Sequence, residues 1–217
     1  MKHILEADGI ALFFRERKIL GDIYLKCESG KITGLLGRNG QGKTCLMNII
    51  YGSLQAQNRS IRFDDASVFE AYKRPDLLVY CPQFNFIPSA LSLKRIFCDF
   101  EVDFPEFAAH FPEFMGMEKE KIKNLSGGQR RLVEVYVVIK AKAQFVMLDE
   151  PFSHVMPLHI EKIKELLNIE KQHKGFLITD HLFEAIMEAS DELYVLREGK
   201  THRVSTIDEI EWLGYVR

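Results

Sequence analysis

No apolar run in this chain approaches the roughly 18 residues that a membrane-spanning helix requires. The start, Met1-Lys2-His3-Ile4-Leu5-Glu6-Ala7-Asp8, interrupts its apolar stretch with two acids and does not read as a secretory leader. Cysteine is scarce, and Cys27, Cys45, Cys81 and Cys98 show no C-x-x-C spacing; they read as unrelated thiols. A formal net charge of −2 lacks the basic excess that binds phosphate backbones, so a nucleic-acid partner is not expected. No low-complexity linker divides the chain. What is present is ordinary globular material, 47% hydrophobic and 28% charged over 217 residues, enough to bury a substantial core.

Short apolar segments alternate with helical ones. Residues 10–20 and 23–27 read as short strands, broken by Arg15-Glu16-Arg17-Lys18 and Gly21-Asp22. Lys31-Ile32-Thr33-Gly34-Leu35-Leu36 reads as a buried strand, and residues 44–53, with Leu46, Met47, Ile49 and Ile50, as the helix after it. Further strands are expected at 77–80, 144–148, 175–179 and 193–197, and helices at 129–141, 158–169 and 182–189. Such alternation predicts a mostly parallel sheet covered on its faces.

Between residues 84 and 114 the character changes, since this stretch holds 8 of the 16 phenylalanines. Phe97, Phe100, Phe104, Phe107, Phe111 and Phe114 recur at helical spacing. Pro105 and Pro112, each followed by Glu, would damage one continuous helix and predict two or more short ones with Pro near the start.

Four short motifs run through this pattern. Gly37-Arg38-Asn39-Gly40-Gln41-Gly42-Lys43-Thr44 fits G-x-x-x-x-G-K-[ST], a loop whose backbone N–H groups wrap phosphates while Lys and Thr reach the terminal phosphate and Mg²⁺. Its setting between a strand and a helix makes it a site rather than a pattern match. Leu125-Ser126-Gly127-Gly128-Gln129 offers a helix cap at Ser126 and open N–H groups at Gly127 and Gly128; alone it would indicate only a capped turn. Asp149 and Glu150 end the apolar run Phe145-Val146-Met147-Leu148, and adjacent carboxylates at the tip of a buried strand are costly unless a cation or substrate uses them. His181 follows Ile178-Thr179-Asp180 at the C-terminal end of another strand, where parallel sheets place ligands.

In this order the motifs resemble the nucleotide-binding domain of the ATP-binding cassette (ABC) family, over nearly the whole chain. The resemblance implies an α/β P-loop NTPase fold with a mostly parallel sheet, a small antiparallel β part and an inserted helical subdomain. That subdomain would span about 84–142, and the catalytic lobe about 1–83 and 143–217. ATP and Mg²⁺ are the implied ligands. Gly37, Arg38, Asn39, Gly40, Gln41, Gly42, Lys43, Thr44 and Cys45 would bind the nucleotide, and Phe14, with Phe13 as the alternative, would stack on adenine.

Thr44, Gln83 and Asp149 stand where the family holds the metal, Asp149 through water. Glu150 would polarise the attacking water and His181 would contact the γ-phosphate. Ser126, Gly127, Gly128 and Gln129 would close over ATP bound to a second protomer, leaving a lone chain with two half-sites. The implied function is an ATP-hydrolysing subunit, in a homodimer or heterodimer, that powers a membrane permease on a separate chain. It would be cytoplasmic, peripheral on the cytoplasmic face of the inner membrane, and a free Cys45 inside the phosphate loop fits that reducing compartment. A soluble ABC ATPase with a regulatory or assembly role is the alternative.

The chain departs from the family in two places. Met156 stands where an Asp usually helps the protomers communicate, and Arg38 where Pro is frequent. Phe84 and Phe86, just after Gln83, are expected to help dock the membrane subunit.

Overall fold

Two sheets frame the computed structural model, which describes residues 2–215. Met1 and residues 216–217, the ends of the expected catalytic lobe, lie outside the described residues. The strands are β1 (Ile4–Phe14), β2 (Arg17–Glu28), β3 (Ile32–Leu36), β4 (Asn58–Phe63), β5 (Ala66–Ser67), β6 (Leu78–Cys81), β7 (Phe145–Asp149), β8 (Gly175–Thr179), β9 (Glu192–Arg197) and β10 (Lys200–Val204). The helices are α1 (Lys43–Tyr51), α2 (Leu93–Asp99), α3 (Phe104–His110), α4 (Gly127–Lys140), α5 (Pro157–Glu170), α6 (Phe183–Ala189) and α7 (Ile207–Trp212). One sheet is antiparallel, in the order β2-β1-β4-β5. The other runs β10-β9-β3-β8-β7-β6, parallel throughout except for β10 at its edge.

β3, β7 and β8 are buried along their whole length, as central strands covered on both faces must be. Alternation divides their side chains between two cores. Leu35, Met147 and Leu177 face α1 and the antiparallel sheet, whereas Leu36, Leu148 and Ile178 face α4, α5 and α6.

The first hairpin differs from the expected short strands. Arg15 and Glu16 make its turn, with Arg15 at φ +56°, and β2 begins at Arg17. Gly21 and Asp22 do not end a strand. They form a bulge, because Ile10 pairs with Ile23 while Ala11 pairs with Gly21, and Asp22 takes φ +67°. The acids near the start sit on β1 beside buried Leu5 and Ala7. Glu6 pairs with Arg62 at 3.1 Å and accepts from the Tyr24 hydroxyl at 3.0 Å.

The phenylalanine-rich stretch folds as the two prolines predict. Pro105 is the second residue of α3, whose cap Asp103 accepts from the Glu106 N–H at 3.2 Å, and Pro112 opens a 3₁₀ turn, Pro112–Phe114. Phe97, Phe104, Phe107, Phe111 and Phe114 are buried, and the Phe107 ring lies 4.7 Å from that of Phe114 and 4.8 Å from Tyr136 of α4. Phe86 is half-buried edge-on to Phe100, while Phe84 is 70% exposed.

At the end of the sheets remote from the motif loops, Lys2, Lys26 and Lys31 converge on Glu28 at 2.7, 2.8 and 3.0 Å. Lys31 and Arg203 also pair with Glu192, so this network links β2, β3, β9 and β10.

Candidate active site

The glycine loop connects buried β3 to α1. Gly42, which precedes α1, has φ +103°, and a Cβ there would press on Leu20 and Ile19 at 3.0 and 3.1 Å. Lys43 folds back along the loop and donates from Nζ to the Gly37 carbonyl at 2.6 Å. Burial lowers its ammonium pKa, and the nearby carboxylates of Glu150 and Asp149 oppose that shift.

The facing wall comes from the C-terminal ends of β6, β7 and β8, neighbours in the sheet. They deliver Gln83, Asp149 with Glu150, and Asp180 with His181. Glu150 turns sharply at φ +54°, its N–H bonded to the Thr179 carbonyl at 2.7 Å, a conformation that a bulky residue keeps only where its surroundings impose it. Glu150 Oε2 accepts from Gln83 Nε2 at 2.8 Å and from Ser153 Oγ at 3.1 Å. His181 Nδ1 lies 3.8 Å from the same oxygen and 3.2 Å from Asp180 Oδ1.

Asp149 is buried behind this wall. Its Oδ2 accepts from the Tyr80 hydroxyl at 3.1 Å, whereas Oδ1 is buried without a hydrogen-bond partner. Burial pushes its carboxyl above the usual range. The buried Asp149 carboxylate with the Thr44 hydroxyl beside it, and the Gln83 amide on the adjoining cleft, make a set of hard oxygen donors that fits Mg²⁺.

These elements enclose a cleft of about 640 Å³ lined by Asn39, Gly40, Gly42, Lys43, Thr44 and Cys45 on one side and Gln83, Glu150 and His181 on the other. Phe14, Arg17 and Ile19 form its far end. Phe14 is half exposed there; Phe13 is instead held by its N–H on Gln57 Oε1 at 2.9 Å and is not part of the lining. The side chains of Arg38 and Gln41 turn to the back of the loop: Arg38 Nη2 donates to the Gly214 carbonyl at 2.7 Å, and Gln41 Oε1 accepts from the Glu198 N–H at 3.0 Å.

Ser126 caps α4 through a reciprocal box. Gln129 N–H donates to Ser126 Oγ at 3.2 Å, and Ser126 N–H donates to Gln129 Oε1 at 3.0 Å. Among the described residues that line the cleft, Ser126, Gly127, Gly128 and Gln129 do not figure. Gly128 packs instead on the loop after Glu150, where a Cβ would lie 2.5 Å from the His154 carbonyl.

Several residues of the site were not given a role from the sequence. Arg17 enters the cleft because the hairpin pairs it with Phe14. Buried Arg131 donates to the carbonyls of Pro82, Asp149 and Glu150 at 2.8, 2.6 and 3.1 Å, fixing β6 and β7 where their functional residues emerge. The Arg130-Arg131 pair at the start of a helical run rich in Leu and Val was its only signal. Asp180 Oδ2 accepts from the Phe152 N–H at 2.9 Å, and Ser153 stands 3.5 Å from His181 Nδ1; Asp180 sat in the His181 motif without a role of its own, and Ser153 had none.

A parallel sheet with a glycine loop on a helix start, facing acidic strand tips, defines a P-loop NTPase. The ABC transporter family profile matches residues 20–153, and the chain belongs to that family as a nucleotide-binding domain. It is 28% identical to the lipopolysaccharide export system ATP-binding protein LptB of Haemophilus influenzae, over 95% of this chain and 92% of that protein. A probable ABC transporter ATP-binding protein of Azorhizobium caulinodans is 32% identical over 90% of this chain and 74% of its own length. Among solved structures, an ATP-binding subunit of an ABC transporter superposes with TM-score 0.81 at 19% identity, over 98% of this chain and 94% of that one. A bacterial Atm1-family ABC exporter with ATP bound gives 0.84 at 16% identity, over 98% of this chain and 40% of that one.

Proposed function

We propose that this chain is the Mg²⁺-dependent ATP-hydrolysing subunit of a membrane transporter and works as a dimer on a separate permease. The observation that carries this reading is the meeting of Lys43, Thr44, Gln83, Glu150 and His181 in one cleft, with Glu150 held by two hydrogen bonds. In this reading Lys43 and the loop N–H groups hold the phosphates, and Phe14 carries the adenine. Glu150 orients and polarises the attacking water, and His181 contacts the terminal phosphate. Thr44, Gln83 and Asp149 hold Mg²⁺, which when bound neutralises charge on the transferred phosphoryl group.

Ser126, Gly127, Gly128 and Gln129 then serve the nucleotide of a second protomer, consistent with their place outside the cleft. The helical segment, at about 84–142, is the lobe that meets the permease. No helix among the described residues is long and apolar enough to cross a membrane, and the naming of LptB as part of an export system supports a separate membrane partner. The chain would then sit on the cytoplasmic face of the inner membrane. Phosphate release from ATP by the purified chain, with and without Mg²⁺, tests the assignment together with sedimentation in the presence of nucleotide. Release that requires Mg²⁺ and rises steeply with protein concentration is expected. Release unaffected by chelation would overturn the metal assignment, and a strictly linear dependence from a chain that sediments as a monomer with nucleotide bound would overturn the dimer.

A further inference from the structure

The phosphate loop is braced from behind. Arg38, its second residue, leaves the cleft and donates to the Gly214 carbonyl at 2.7 Å. Gly214 ends α7, with φ +65° and its N–H on the Glu211 carbonyl at 2.7 Å. A second arginine, Arg197 at the end of β9, donates to the neighbouring Leu213 carbonyl. Arg38, Gln41, Leu213 and Gly214 meet around a hollow of about 170 Å³ on the far side of the loop from the nucleotide cleft. The segment they grip is itself anchored: Ile210 and Leu213 are buried, and the Tyr215 ring lies 5.7 Å from that of Phe183. The arginine that replaces the frequent proline is therefore one end of a strut.

We infer that Arg38 is a positioning residue: through Gly214 it holds loop 37–42 ready for phosphate, and the C-terminal segment thereby sets nucleotide affinity. The inference rests on reading the cleft as the MgATP site. A cradle of backbone N–H groups binds an anion at full strength only when already ordered. Apparent affinity falls in proportion to the time the loop spends elsewhere. Arg38 is also a cation near bound phosphates, and that rival role makes a different prediction. A charge effect depends on Arg38 alone and is screened by salt. A strut depends equally on Arg197, which lines the same hollow and whose guanidinium donates to the C-terminal segment at Leu213 rather than to the loop.

The test compares the full chain with Arg38→Ala, Arg197→Ala and the double variant, measuring MgATP dissociation constants, steady-state KM and kcat, and thermal midpoint. Each single change is expected to raise the dissociation constant and KM by about three- to tenfold, the scale of the net contribution of one ordinary hydrogen bond. In Arg197→Ala, which lies outside the phosphate loop, the kcat at saturating ATP should stay within about twofold, since the chemical groups are untouched. The double variant should bind no more weakly than the poorer single one, because both remove the same strut. Unchanged affinity in Arg197→Ala, or an Arg38→Ala effect that disappears at high salt, overturns the inference. So does a parallel fall of kcat and thermal midpoint. Failure of the unaltered chain to bind MgATP would instead overturn the reading of the cleft.

Discussion

Gln83 Nε2 donates to Glu150 Oε2 at 2.8 Å across 67 positions of sequence. The bond joins the residue that leads into the aromatic segment directly to the carboxylate proposed to activate water. Any movement of the 83–86 chain is thus felt by Glu150 itself, without an intervening element.

Replacing Glu150 by Gln keeps its shape and its hydrogen-bonding reach but removes the charge that polarises water. Steady-state ATP turnover should fall by about 100-fold or more. MgATP binding should persist, and the variant should accumulate as a nucleotide-bound dimer in size-exclusion runs. Lys43→Ala, by contrast, should weaken binding itself. Equal turnover in Glu150→Gln and the unaltered chain would remove Glu150 from the mechanism.

Met156 is 60% exposed and is the N-cap of α5 without any side-chain bond to the helix. An Asp side chain there can cap the first turn, where Pro157 has no N–H and the His159 N–H already donates to the Met156 carbonyl, by accepting from the Leu158 N–H, so Met156→Asp should stabilise the chain by about 1 kcal/mol. It should also raise turnover, or its cooperativity in ATP, with nucleotide affinity nearly unchanged. Loss of dimerisation in the variant would show that the thioether packs in an apolar contact at the seam.

Phe84 and Phe86 are separable. Phe84, being largely exposed, should tolerate Ser within about 0.5 kcal/mol, while Phe86→Ser removes a ring packed on Phe100 and should cost about 1–3 kcal/mol. Phe84→Ser should detach the chain from host membranes in co-sedimentation while leaving thermal midpoint and ATP binding intact. If the native chain never co-sediments with those membranes, the soluble-ATPase alternative replaces the permease.

Lys2, then Lys26 and Lys31, hold the Glu28 carboxyl well below the usual carboxylate range. The folded state thus keeps Glu28 ionised more firmly than the unfolded chain does. Its contribution is present in full above the ordinary carboxylate pKa and is lost as pH falls through the folded value. The lysine partners are 59, 31 and 35% exposed, so solvent screens the network. Glu28→Gln should cost about 1–2 kcal/mol at pH 7 by urea unfolding, and the gap between the two proteins should narrow steadily as pH falls below about 5.

The parallel core was legible because its strands are uninterrupted apolar runs. The strand at 175–179 matched residue for residue, and Lys31-Ile32-Thr33-Gly34-Leu35-Leu36 led into the phosphate loop as expected. The antiparallel sheet was not, because its strands are half buried and carry polar residues mid-strand. In β4 only Ile61 and Phe63 are buried, and in β2 Gly21-Asp22 has the composition of a turn but the geometry of a bulge. The cleft followed from local motifs, whereas Arg131, Ser153 and Asp180 act through contacts 18 to 49 positions away, which no local pattern announces.

Ser126 lies outside the lining of its own chain's cleft, and in the proposed dimer this turns hydrolysis into a question of mass action. A dilute chain would work at a rate proportional to the square of its own concentration, and most copies would be idle. A scaffold that seats two copies side by side replaces bulk concentration by a local one in the millimolar range without adding a single contact to the nucleotide. Such a partner would act as a switch simply by existing, confining ATP consumption to the place where two copies are held together.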